Sequence, residues 1–309
     1  MDFILLPLQI VLMLALAPLL QGGIKRSKAH WQNRRGPGLL QPYRDIAKLF
    51  ARESVVSDQA SWLFRAAPAV YGAAIITAAV LVPTLARRSA AAGIGDIVVF
   101  VGLFALARFA LALAALDTAS NFGGMGASRE VAFAALVEPA LLLVLFAVAL
   151  PAGSTSFSAL VGERGPTAAA LLAFGALLIV VIAETGRIPI DNPDTHLELT
   201  MIHEGMLLEY SGRPLGILHW TTQVKQLAML ALAAALFLPW GMASAGDYAP
   251  AALLIGFVTF ALKVGALGFL LAAIETSFAK LRIFQAPFLL GFASILGVLA
   301  ILADYVVAH

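Results

Sequence analysis

Cysteine is missing from all 309 residues of this chain. Without thiols it can form no disulfide and can ligate no iron–sulfur cluster or nickel site through sulfur. Histidine is scarce: His30, His196, His203, His219 and His309 all fall outside the long apolar runs, which leaves no axial pair for a haem buried among them. Any redox chemistry therefore belongs to a partner. Charge is also thin, at 12% of residues against 61% hydrophobic, with a mean hydropathy of +0.92. That balance excludes a large soluble core and defines an all-α polytopic membrane protein. The net charge of +2 is too small to point to nucleic acid.

Runs long enough to cross roughly 30 Å of hydrocarbon number about eight. They lie near Phe3–Leu20, Pro68–Leu85, Ile97–Leu116, Val131–Pro151, Thr167–Ala183, Val224–Trp240, Pro250–Ala273 and Ala286–Val306. The first follows Asp2 instead of a basic segment and precedes Lys25, Arg26 and Lys28, so it reads as a retained helix and not a signal peptide. No internal repeat and no linker divides the chain, and residues 1–309 form a single integral membrane domain.

Basic residues set the topology. The connection after the first run holds Lys25, Arg26, Lys28, Arg34, Arg35, Arg44, Lys48, Arg52 and Arg65. The other odd-numbered connections add Arg129, Arg187, Arg213, Lys225, Lys280 and Arg282, whereas the even ones offer only Arg87, Arg88 and Arg164. By the positive-inside rule the odd connections face the cytoplasm of a prokaryotic inner membrane and both termini lie outside. Within the first connection, Tyr43, Ile46, Ala47 and Phe50 follow helical spacing after Pro42, which predicts a cytoplasmic helix along the membrane surface. That basic segment is either a topology signal alone or a docking platform for a partner.

Between the fifth and sixth runs stands an acid-rich stretch, Glu184 to Pro214, with Glu184, Asp191, Asp194, Glu198, Glu204 and Glu209 among Ile, Leu and Met. Its interleaved apolar residues predict partial burial, where a carboxylate is costly without a reason. Asn192 as N-cap, Pro193 in the first turn, and Gly212 followed by Pro214 as a stop predict a long helical loop from about Pro193 to Tyr210. Asp194, Glu198 and Glu209 then share one face and His196 and His203 the other, provided Gly205 does not interrupt the helix.

Ionisable residues also stand inside the runs. Arg108 and Glu138 lie roughly 10–12 Å from the same side and are placed to pair. Lys263 is nearer mid-membrane, and Asp117, Glu184 and Glu275 sit at run ends. Such groups face the bundle interior or a wet cavity. Two motifs do not hold. His203-Glu204 lacks the second histidine of a zinc-protease helix, since position 207 is Leu, so no metal site is assigned. The glycine-rich NFGGMGAS at 121–128 joins two spans and reads as a tight, closely packed turn, not a dinucleotide loop.

Several segments carry a family resemblance along nearly the whole chain. QNRRGPGLLQPYRDIAKLF (Gln32–Phe50), LDTASNFGGMGASRE (Leu116–Glu130), VEP (Val137–Pro139), the Glu184–Gly212 stretch ending in LEYSG, and ETSFAKLRIF (Glu275–Phe284) are those segments. They resemble the membrane subunit shared by complex I and the group 4 membrane-bound NiFe hydrogenases. GASRE, LDT and RRGPG look more like the hydrogenase branch, of the formate hydrogenlyase subunit 4 or hydrogenase-4 component C type. Where a complex I subunit shows GPNR and an FDLPE-type segment, this chain has RRGPG and IDNPDTHLELTMIHE. That departure weakens the case for quinone, which stays an open alternative.

The resemblance implies the heel of a membrane arm, a non-redox subunit with no catalytic centre of its own. Its implied partners are NiFe hydrogenase large and small subunits, an iron–sulfur ferredoxin-like subunit, antiporter-like membrane subunits and the lipid bilayer. The NiFe centre and iron–sulfur clusters would sit in those partners. Glu138, Glu184, Asp191, Asp194, Glu198, Glu204, Glu209 and Lys263 are then expected on a proton path. Arg34, Arg35, Gly36, Pro37, Arg44, Asp45, Arg187 and Arg213 are expected at the docking face. Alternatives are a complex I quinone-module subunit, a passive anchor whose acids only hold the peripheral arm, and a stand-alone ion transporter.

Overall fold

The structure, a computed structural model, describes residues 2–87, 94–162, 167–191, 201–244 and 249–308. Its helices are α1 (Asp2–Trp31), α2 (Gln41–Phe50), α3 (Trp62–Leu81), α4 (Ile97–Asp117), α5 (Asn121–Ala152), α6 (Phe157–Leu160), α7 (Ala168–Glu184), α8 (His203–Leu207), α9 (Gly212–Phe237), α10 (Pro250–Ser277) and α11 (Ala286–Ala308). Among the described residues the only β pairing is isolated bridges. Six helical segments are long and apolar enough to cross a membrane, and α7 is a shorter apolar helix. The chain is an all-α polytopic membrane protein.

α9 is the helix that the others surround, packed by α1, α3, α7 and α10. From Val224 to Leu236 every residue is buried, Lys225 and Gln226 included. Protein on all sides explains how those polar groups are tolerated: their partners are supplied by neighbouring helices, where lipid would supply none.

The connections sort into two ends. At one, Ser211 Oγ donates to Val55 O at 2.9 Å, Ser61 N donates to Asp117 Oδ2 at 2.7 Å, Arg129 Nη1 donates to Met201 O at 2.9 Å, and Leu281 N donates to Pro189 O at 2.8 Å. These bonds join the odd-numbered connections. At the other end, bridges pair Ala86 with Ala243 and Asp96 with Ser156. Gly212 is essential to the first arrangement, because its φ of +56° favours glycine and a Cβ there would sit 2.4 Å from Glu53 O.

Several boundaries differ from those predicted. α1 continues through Lys25, Arg26 and Lys28, where cations favour a helix C-terminus, and turns at Asn33, whose φ is +54°; Arg34 N donates to Ala29 O at 2.8 Å. Gly212 and Pro214, read as a stop, instead begin α9, because proline lacks only an N–H that the first turn leaves unpaired anyway. Residues 192–200, with Asn192, Pro193, Asp194, His196 and Glu198, lie outside the described residues. Of the rest of the helix expected up to Tyr210, only His203–Leu207 is helical. Tyr210 leaves the helix line because its ring stacks on Phe64 at 3.9 Å and its hydroxyl donates to Phe64 O at 2.9 Å.

NFGGMGAS is not a turn either but the first turns of α5, capped by Ser120 Oγ accepting from Gly123 N at 3.1 Å. Its glycines do permit close packing: a Cβ on Gly126 would meet Ile202 O at 2.9 Å, opposite Gly205. Gly205 therefore serves contact with α5 and does not break α8. The surface helix spans Gln41–Phe50 and packs Phe50 edge-on to Trp220 at 6.3 Å, but Ala47, predicted on its apolar face, is exposed.

Candidate functional site

Where α4, α5, α7, α8 and α9 meet, a narrow cleft of about 30 Å³ is bounded by Arg108, Glu130, Glu184, Asp191, His203 and Lys225. That is room for a water molecule or two, each needing polar partners, which these side chains offer. Arg108 is the hub. Its Nη1 contacts Glu138 Oε1 directly, its Nη2 donates to Glu184 Oε2 at 2.6 Å, and its Nε lies 3.4 Å from Glu130 Oε1. Lys225 Nζ sits 2.8 Å from Glu184 Oε1 and 5.6 Å from the Phe104 ring centroid.

The arrangement follows from local geometry. Arg108 sits on the buried side of α4 with Phe104 and Leu111, its helical neighbours at i−4 and i+3. Glu184 ends α7, so its carboxylate reaches the same depth from the next helix. Planar guanidinium forks suit several carboxylates at once, and a desolvated pair survives only when its remaining hydrogen-bonding sites are filled. Here two cations face three carboxylates. The Glu184 side chain is 2% exposed and the Glu138 side chain 34%, so the cluster runs from a sealed end to an open one.

His203 lines the same cleft with Nε2 3.4 Å from Thr222 Oγ1. Burial pushes its imidazole down to about 4, and the Lys225 charge adds to this, so the ring is neutral at neutral pH. Asp191 closes the far wall, held by Lys280 Nζ at 2.9 Å.

A second buried cluster meets α9 at Gln226, next to Lys225. Glu275, its side chain 0% exposed, pairs with Lys28 at 2.6 Å and Arg187 at 3.3 Å. Arg187 Nη2 also donates to Gln21 Oε1 at 2.5 Å and Gln226 Oε1 at 2.6 Å. Arg187 was expected on the docking face; it is buried, because Glu275 and two amides draw it into the bundle.

Of the residues expected on the proton path, Glu138, Glu184 and Asp191 are brought together around the cleft, the last two lining it. Glu204 is half-buried on α8 and Glu209 is exposed. Asp194 and Glu198 lie outside the described residues. Lys263 is not near these acids: its ammonium donates to Trp240 O and stands 4.5 Å from the Trp240 ring centroid, at the end where the even connections meet. At the expected docking face, Arg34, Arg35, Gly36, Pro37, Arg44, Asp45 and Arg213 are exposed. Four cluster members were not assigned to any site: Glu130, Lys225, Glu275 and Lys28. A lone lysine inside a run as apolar as 224–240 was the available signal for Lys225.

The fold and buried ion network define a multi-pass membrane subunit, and sequence comparison places it. The NADH dehydrogenase family profile matches residues 4–305, and the chain belongs to that family. It is 37% identical to formate hydrogenlyase subunit 4 of Escherichia coli (strain K12) over 285 residues, 91% of each chain. It is 41% identical to hydrogenase-4 component C of the same organism over 282 residues, 89% of this chain and 87% of the relative. NADH-quinone oxidoreductase subunit 8 of Rhodothermus marinus is 33% identical over 200 residues, 60% of this chain and 56% of its own length. A chain in the structure of the membrane-bound sulfane sulfur reductase, an archaeal respiratory membrane complex, shares the fold. Its TM-score is 0.85 at 21% identity, covering 97% of this chain and 98% of that one.

Proposed function

We propose that the chain is the membrane-arm heel of a complex I-like, membrane-bound NiFe hydrogenase. In this role it docks peripheral redox subunits and couples their electron transfer to proton translocation. Similarity to formate hydrogenlyase subunit 4 and hydrogenase-4 component C supports the hydrogenase assignment. The observation that carries the coupling role is the cluster at the cleft, in which Glu130, Glu138 and Glu184 share Arg108 and Glu184 also pairs with Lys225. Three carboxylates that share one guanidinium place several proton-accepting oxygens side by side, along which a proton can pass. A redox step in a docked partner alters the field at the cleft and shifts that set. The exposed Arg34, Arg35 and Arg44 of the first connection serve docking, and the positive-inside bias orients them to the cytoplasm of the inner membrane, with both termini outside.

The test compares Glu138→Gln and Glu130→Gln in the assembled complex reconstituted into vesicles. Assembly persists while proton uptake per turnover falls about tenfold or more, in keeping with loss of a positioned proton-transfer group. Normal pumping in both variants would remove the cluster from the path. A passive anchor is the second reading, favoured by the ion pairing of every cluster member. It demands instead that the same neutral swaps loosen the peripheral arm before turnover changes.

A further inference from the structure

A second cavity, about 400 Å³, lies between the C-terminal part of α1, the segment from Pro37 through α2, and the N-terminal half of α9. Its charged lining is Lys25, Lys48 and Asp45, with His219 and the amides of Gln21, Gln41 and Gln223 beside them. Asp45 is already engaged by Gln41 Nε2 at 2.8 Å, whereas Lys25 and Lys48 have no acidic partner among the described residues. The cavity is therefore net cationic. Gln223 keeps its amide oxygen buried and without a donor among the described residues.

Depth matters as much as charge. The Tyr43 hydroxyl donates to Ala15 O, and Trp220 Nε1 donates to Leu14 O at 3.0 Å. Ala15 is ten residues, roughly 15 Å, inward from Lys25 along α1. α2 is thus held against the apolar part of α1. Ile46, Leu49 and Pro42 supply an apolar wall to the same space. A space lined by both ammonium groups and aliphatic side chains fits an amphiphile with an anionic head.

We propose that this cavity holds the headgroup of one anionic phospholipid. Lys25 and Lys48 take the phosphate, a headgroup hydroxyl donates to the Gln223 amide oxygen, and the acyl chains leave along Ile46 and Leu49. The lipid seats α2 against α1 and α9. Through Gln21, which lines the cavity and accepts from Arg187, it adjoins the sealed Glu275 cluster. The proposal rests on the membrane class of the chain and not on the proton path.

The experiment uses the intact complex purified in mild detergent, with retained lipid identified by native mass spectrometry. Wild type and Arg52→Gln, an exposed basic position outside the cavity, retain about one phosphatidylglycerol-class lipid per complex; Lys25→Gln with Lys48→Gln loses it at least tenfold. If the double variant fails to assemble, competition on the wild-type complex decides. Phosphatidylglycerol displaces the bound lipid at least tenfold better than phosphatidylcholine, and inorganic phosphate does not displace it. Equal retention in the double variant, no preference for the anionic headgroup, displacement by free phosphate, or a quinone as the retained molecule would each overturn the proposal.

Discussion

Two buried charge clusters flank α9, touching it at the adjacent residues Lys225 and Gln226, and they are built oppositely. On one side three carboxylates share two cations around a cleft, and the cluster opens outward at Glu138. On the other, two cations share Glu275, whose side chain is fully enclosed, and two glutamines accept from Arg187. The first has a surplus of proton acceptors and contact with water-sized space. The second has one carboxylate for two cations and so no such surplus. Burial is common to both clusters; the surplus of acids and the access set the first apart, and on these the proposed proton path rests. The sealed cluster ties the C-terminal part of α1, the loop after α7 and the end of α10 into one body.

The largest expected effect tests the sealed side. Glu275→Gln removes the enclosed carboxylate that faces Lys28 and Arg187, which costs about 3–5 kcal/mol for a broken buried pair. Assembled complex should fall steeply in yield and melt at lower temperature in a thermal-shift assay. An unchanged melting point would erase the contrast between the clusters.

Next comes the open side. Glu138→Gln should keep the melting temperature near wild type, since its side chain is 34% exposed, while coupled proton uptake falls about tenfold, equivalent to about 1.4 kcal/mol in the barrier. Loss of assembly in place of uptake would move this cluster into the structural class.

A smaller effect should come from Ser211→Ala. Its hydroxyl donates to Val55 O at 2.9 Å and accepts from Val55 N at 2.7 Å, joining the first and fifth connections. Loss of this exposed link should cost about 1 kcal/mol. Proteolysis between residues 51 and 60 would report it, with coupling unchanged.

The smallest effect at neutral pH concerns His203. Its folded pKa is lowered to about 4 from 6.5, so between those values the unfolded state binds more protons and stability must fall as pH falls. Stability is full above about pH 6.5 and is lost progressively toward pH 4. His203→Gln should flatten that part of the stability profile. An identical profile in the variant would show that His203 does not titrate in the cleft.

Much of the fold was legible in the sequence, because a helix in hydrocarbon must be apolar for its whole length. Each of the eight predicted runs overlaps a helix, and six helical segments among the described residues are long and apolar enough to cross a membrane. Boundaries were less legible where a residue has two uses: Gly212 and Pro214 end one segment or begin another according to what packs on them, and Glu53 decides here. The candidate site was half legible. Arg108 and Glu138 stood out as charges inside apolar runs, but Glu130 and Lys225 were hidden in a motif and at a run edge. Arg187, a basic loop residue by sequence, is drawn inward by Glu275.

What the sequence alone determined is the membrane class, the positions of the spans, the lack of thiol ligands and the basic bias of one set of connections. Each is a property of composition along a single segment. Only the tertiary structure decided which charges meet: Arg108 and Glu184 are 76 residues apart, and Arg187 and Gln21 are 166 apart. Periodicity fixes the direction of a side chain around its own helix axis, but an ion pair needs two such directions to converge within about 4 Å. That convergence is set by how the helices pack around α9.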